Sequence, residues 1–147
     1  MIELNIINDY NEKLLFEVSL IDKLISSIFL NEGHPKAKIN IILTNRKSLS
    51  KLKKKYFNVE QFTDVIAFNL EDKGKNIEGE IYISIDDVIE NASFYSVLFN
   101  DEFRRVLIHG VLHLIGYDDC EENDIKIMRG LEEKYLLNSN NNIIFLK

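Results

Sequence analysis

Two histidines four residues apart, His109 and His113, are where this sequence could do chemistry. On a helix that spacing puts both imidazoles on one face, one turn apart, so that two ring nitrogens can reach a single ion. The flanking Val106, Leu107, Ile108, Val111, Leu112, Leu114 and Ile115 are apolar nearly all round, the pattern of a helix buried in a core. Imidazoles buried there need partners, and a metal ion satisfies both at once. Gly116 ends such a helix and lets the chain turn back, carrying Asp118 or Asp119 toward the pair. Three protein ligands with one open position are the pattern of a catalytic metal, not of a closed structural one. The competing reading is a hydrogen-bonded histidine pair in the core, with Asp118 and Asp119 capping the next helix.

The full string, H-x-x-x-H-x-x-G-x-x-D, has the spacing of the long zincin pattern with two changes. Asp119 stands at the final histidine. Gly110 stands where zincin peptidases carry the glutamate that activates water. Glycine cannot do that work, so peptide hydrolysis is disfavoured while the metal scaffold is kept. Charge patterning points to another substrate. From Gly33 to Val59 there is no Asp or Glu, and the stretch holds eight of the 18 basic residues, Lys51, Lys53, Lys54 and Lys55 among them. The other ten basic residues meet all 24 acidic ones, so the rest of the chain stands at −14 within a net charge of −6. A basic segment on an acidic protein reads either as a local, salt-sensitive polyanion footprint or as a solvated lysine-rich helix face.

The elements that must position these residues follow from periodicity. Strands are expected at Glu3–Ile7, Ala37–Thr44, Asp64–Leu70 and Glu80–Ile85, with a polar loop around Gly74 between the last two. Helices are expected at Asn11–Leu30, Lys47–Tyr56, Asp86–Leu98, Asn100–Ile115 and Glu121–Leu137. Asn100 is the expected N-cap of the histidine helix, with Asp101 and Glu102 favourable near its positive end. Ile125, Met128, Leu131 and Tyr135 form the core stripe of the last helix, and the tail after Asn138 ends in a loose strand. The class is therefore α+β, a small mixed sheet of about four strands covered by helices, with the metal site at the end of a central buried helix. The 147 residues, 46% hydrophobic with a single cysteine, fit one domain over 1–147 that needs no disulfide. With no apolar run of membrane-spanning length and no signal-like start, a soluble cytoplasmic protein with no membrane partner is expected.

The string H-G-V-L-H-L-I-G-Y-D-D, His109 to Asp119, resembles the signature H-G-x-L-H-L-x-G-Y-D-H of the YbeY-type endoribonucleases, the ribosomal RNA maturation factors. Thr63 to Phe68 (T-D-V-I-A-F) looks like that family's T-D-V-L-S-F strand, and Gly79 to Ser84 (G-E-I-Y-I-S) like its G-D-I-x-I-S strand. Met128 matches the methionine of its last helix, so the likeness runs from about Lys51 to Leu137. It implies metal-dependent cleavage of single-stranded RNA in ribosomal RNA processing and ribosome quality control. It also implies one zinc, or another divalent transition metal, on His109, His113 and Asp119. The implied partners are ribosomal RNA, the small ribosomal subunit and its assembly factors.

Two departures from the family stand out. The third ligand is Asp119 where most members have histidine. An anionic oxygen lowers the net positive charge at the ion and tilts preference toward harder metals, though it remains an acceptable zinc ligand. Asp118 and Cys120 are alternative donors, whereas His34, between Gly33 and Pro35, reads as a loop residue. The family's arginine ahead of T-D-V is Phe57 here, and Lys53, Lys54 and Lys55 are the nearby cations that can replace it. In this reading the lysines at 51, 53, 54 and 55 hold the RNA backbone, Tyr82 or Phe68 stacks a base, and Asp118 or a substrate phosphate serves as general base. The alternatives are a zincin-like metallopeptidase, which needs a glutamate from another segment, and a non-catalytic ribosome- or RNA-binding protein with a structural metal.

Overall fold

The computed structural model describes residues 2–57, 63–71, 76–138 and 141–147. Gly74 of the expected polar loop and Val59 at the end of the basic segment lie outside them. Four strands form one mixed sheet: β1 (Ile2–Asn8), β3 (Ala37–Thr44), β5 (Ile77–Ser84) and β4 (Val65–Asn69), in the spatial order β1-β3-β5-β4. The β1, β3 and β5 strands run parallel, and β4 closes one edge antiparallel to β5. A short antiparallel ribbon joins β2 (Leu14–Phe16) to β6 (Ile144–Leu146). Helices α1 (Val18–Asn31), α2 (Arg46–Phe57), α3 (Ile85–Phe94), α4 (Phe99–Ile115) and α5 (Glu122–Leu137) complete the expected α+β class.

The sheet has two unequal faces. Ile39, Ile41, Ile81 and Ile83 point inward and are at most 1% exposed, packed with Ile25, Ile28 and Phe29 of α1 and Phe103, Leu107 and Val111 of α4. Strand alternation sends Tyr82, Phe68 and Lys38 to the other face. There α2 covers part of the sheet, and Tyr56 meets Phe68 edge-on at 5.4 Å. Helix α4 lies against the inner face so closely that a side chain at either of two glycines would have to displace a neighbour. A Cβ on Gly110 would sit 3.0 Å from Ile81 Cγ2 and 3.2 Å from Val65 Cγ2. One on Gly79 would meet Leu114 Cδ2 at 2.7 Å.

Three expectations need correction. The segment 11–17 is not the first turns of α1. Asn8 and Asn11 side chains bond to nearby backbone there, with the Lys13 N–H donating to Asn11 Oδ1 at 2.9 Å, and Leu14–Phe16 then pairs with the distant β6. Helix α3 stops at Phe94, because Val97 N–H returns to Ala92 O at 2.9 Å and Ser96 takes φ 57°. Asn100 does not cap α4, whose N-cap is Leu98. Its buried amide accepts from the backbone N–H of Ile143 (2.7 Å) and Ile144 (3.2 Å) and donates to Asn141 O at 3.1 Å, pinning the tail to the helix.

Candidate active site

Gly110 and Leu114 face the sheet, so the helical period turns Arg105, His109 and His113 to the flank of α4. That flank lies between Asp64, at the entrance to edge strand β4, and α5. The helix stops at Gly116, whose φ of 123° suits glycine, with Gly116 N–H and Tyr117 N–H returning to Leu112 O at 3.2 and 3.0 Å. The reversed chain brings Asp119 back over the histidines. His113 Nε2 lies 3.0 Å from His109 Nε2, and Asp119 Oδ2 lies 3.3 Å from His109 Nε2 and 3.5 Å from His113 Nε2. Donors on a tetrahedral ion at zinc–nitrogen and zinc–oxygen bond lengths are about 3.3 Å apart, so this set fits one small divalent ion. Exposure rises from 19% at His109 through 27% at His113 to 43% at Asp119, which leaves the ion position open to solvent on the Asp119 side.

A chain of charges stands behind the donors. His109 Nδ1 meets Glu132 Oε2 at 3.5 Å, and the buried Glu132 accepts from Arg105 Nη1 at 3.2 Å. Arg105 also donates to both oxygens of the buried Glu102, at 2.8 and 2.6 Å, and approaches Asp64 at 3.6 Å. Burial pushes the His109 imidazole down, but Glu132, Asp119 and Asp64 outweigh it and its pKa lies above the ordinary value. The Arg105 pKa is raised, first by its bonds to Glu102. Burial raises that of Asp64, with Arg105 and His109 opposing. Glu132 meets His109 at Nδ1, so that Nε2 faces His113 and Asp119.

The structure brings together His109, His113 and Asp119, groups Asp118 and Cys120 with Asp119 on its exposed side, and sets the remaining candidates apart. The exposed Asp118 accepts from the Asp119 N–H at 2.8 Å and from Cys120 Sγ at 3.3 Å, and these bonds hold its carboxyl below the usual range. Its carboxylate serves its own loop. That contact raises the pKa of the Cys120 thiol. The His34 N–H closes the turn after α1, at 2.7 Å from Phe29 O. Lys51, Lys53, Lys54 and Lys55 ride on α2, over the sheet face opposite α4. Phe68 and Tyr82 lie on that same far face, 5.9 Å apart edge-on, and neither can stack a base at the histidines. Phe57 closes α2.

Sequence reasoning missed the supporting residues. Arg105 completes the row 105, 109, 113 one turn before the first histidine. Glu132 interrupts the true buried stripe of α5, which runs Met128, Glu132, Tyr135, with Leu131 only part-buried. A carboxylate on an apolar stripe was the signal to look for.

Comparison with known proteins bears on this geometry. The family model described as Endoribonuclease YbeY matches residues 6–140. The chain belongs to the endoribonuclease YbeY family. Its YbeY relatives include that of Flavobacterium psychrophilum, 41% identical over 112 residues, 76% of this chain and 79% of that protein. The YbeY of Protochlamydia amoebophila is 35% identical over 137 residues, 89% of this chain and 91% of that one. The solution structure of TM1509 from Thermotoga maritima superposes with a TM-score of 0.63 at 28% identity, covering 92% of this chain and 87% of that one. The YbeY resemblance read from His109 to Asp119 is thus matched by similarity over most of the chain, and the mixed four-stranded sheet by a solved fold.

Proposed function

We propose that this chain, as one domain over 1–147, is a metal-dependent endoribonuclease that cuts single-stranded RNA in ribosomal RNA maturation and quality control. Zinc is the first choice of ion on His109, His113 and Asp119, and the small ribosomal subunit and its assembly factors are the partners. The observation that carries the reading is the convergence of three donors at 3.0 to 3.5 Å in a chain whose relatives are named endoribonucleases. Among the described residues no helix is long and apolar enough to cross a membrane; a cytoplasmic location remains part of the proposal.

When bound, a divalent ion there supplies Lewis-acid chemistry, acidifying water and offsetting negative charge on a phosphodiester. The protein's own residues do the rest. His109 and His113 would each offer a ring nitrogen to the ion, and Glu132 holds the first of them through Nδ1. Asp119 closes the donor set from the solvent side. Gly110 faces Ile81 and Val65, so position 110 cannot supply a general base from any residue type, which argues against the peptidase alternative. The lysines of α2 lie across the sheet and act on RNA at a distance, as a salt-sensitive peripheral contact.

Elemental analysis of untagged protein beside His113→Ala tests the reading, followed by cleavage of single-stranded RNA with the ion found. We expect about one transition metal per chain, lost in the variant together with cleavage. RNA binding that survives His113→Ala, with no cleavage by either form, would replace the enzyme with a binding module.

A further inference from the structure

A cleft of about 580 Å³ opens beside His109 and Asp119, large enough for a small organic ligand. We propose that it is a nucleotide subsite, in which Tyr95 stacks a base of single-stranded RNA and Arg129 binds an adjoining phosphate. The inference rests on the endoribonuclease reading and names how that site would hold its strand.

The first observation is chemical. Four carboxylates line the cleft, Glu102, Asp119, Glu132 and Glu133, with two guanidinium groups, Arg105 and Arg129. Arg105 is committed: Glu102 and Glu132 bind it and Asp64 stands at 3.6 Å. Arg129 is exposed, and among the described residues it has no hydrogen-bond or ion-pair partner. It is thus an uncommitted cation in the same cleft as two metal donors. The α2 lysines cannot take this place, because they stand over the opposite face of the sheet. A guanidinium offers a planar fork that matches phosphate oxygens.

The second observation is apolar. The connection between α3 and α4 exposes four large side chains in succession around Ser96: Phe94 at 79%, Tyr95 at 60%, Val97 at 45% and Leu98 at 70%. Contiguous exposed apolar surface marks a contact site more often than accident. Tyr95 and Val97 turn into the cleft. Phe94 meets the Tyr95 ring edge-on at 5.1 Å. An exposed aromatic beside a free arginine and a metal centre matches an unpaired nucleotide, whose base, phosphate and scissile bond present those three chemistries together. A duplex keeps its bases stacked inside and cannot use the aromatic wall.

The test uses zinc-loaded full-length protein and a fluorescent six-nucleotide single strand of 2′-O-methyl RNA, with an abasic strand of the same length beside it. Tyr95→Ala should weaken binding of the base-bearing strand by roughly 5- to 150-fold. It should leave the abasic strand unchanged, and Tyr95→Phe should bind as wild type. Arg129→Gln should weaken both strands and lower the slope of log Kd against log salt by about 0.7. Metal content and thermal midpoint, measured in parallel, show that the variants are folded and loaded. Wild type that binds and cleaves RNA, with Tyr95→Ala and Arg129→Gln indistinguishable from it, overturns the subsite and leaves the enzyme reading standing. Wild type that neither binds nor cleaves overturns both.

Discussion

Glu132 is the residue on which the donor geometry turns. It is buried on α5, yet its two oxygens reach His109 and Arg105, so removing its charge acts on a proposed metal ligand without changing the donor set itself. Glu132→Gln keeps the shape and loses the charge. We expect the affinity for zinc to fall by about 10- to 100-fold, read by competition with a chromophoric chelator, with the fold retained by circular dichroism. An unchanged affinity would reduce Glu132 to an anchor for Arg105. Asp118 is the contrasting case. Gly110 in the usual glutamate position made Asp118 a candidate general base, and its Oδ1 accepts from the Asp119 N–H and Cys120 Sγ. Asp118→Asn should keep its metal and most of its RNA cleavage; abolished cleavage with metal retained would restore it as the base.

At the scale of elements, the turn at Gly116 delivers Asp119 to the histidines. Nothing lies within 4 Å of a Cβ built on Gly116, so space does not select glycine there; its φ of 123° does. Gly116→Ala should cost about 1–3 kcal/mol of stability and displace Asp119, lowering the thermal midpoint and the metal affinity together. A lower midpoint with unchanged affinity would separate the turn from the site. This turn was legible in the sequence, because a glycine after a buried apolar helix has few other uses. The inner strands were legible too, since β3 and β5 alternate buried and less buried side chains. What could not be read were pairings whose partners lie far along the chain. Leu14 and Leu15 fit a helical stripe as well as a strand, and only β6, some 130 residues on, decides between them. Asn100 looked like a cap because its real partners, the N–H groups of Ile143 and Ile144, are invisible to a local window.

Across the whole molecule, two features tie distant parts to the site or keep them from it. Glu32, just past α1, accepts from Tyr117 at 2.5 Å and from Tyr135, joining α1, the loop that carries Asp119 and α5. Burial pushes its carboxyl up, but the two tyrosine hydroxyls outweigh this and its pKa lies below the usual value. A carboxyl depressed by folding contributes stability that is present above its unfolded pKa and is lost as pH falls through the folded one. The stability gap between wild type and Glu32→Gln, measured by urea unfolding, should therefore be widest at neutral pH and narrow below pH about 4. A gap constant with pH would show that the tyrosines hold Glu32 by shape alone. The basic helix α2 is the feature kept apart. Its lysines read from the sequence as the cations that can replace the family's arginine, whose place Phe57 takes. The strand alternation puts them on the far face instead, and a strand of RNA must pass an edge of the sheet to touch both. Changing Lys51, Lys53, Lys54 and Lys55 together to Gln should therefore weaken binding of long RNA and flatten its salt dependence by a slope of up to about 3. A six-nucleotide strand that fills only the cleft should lose much less. Equal losses for the two lengths would mean that even a short strand reaches α2, and the path of RNA over the protein would have to be redrawn across the edge strand β4.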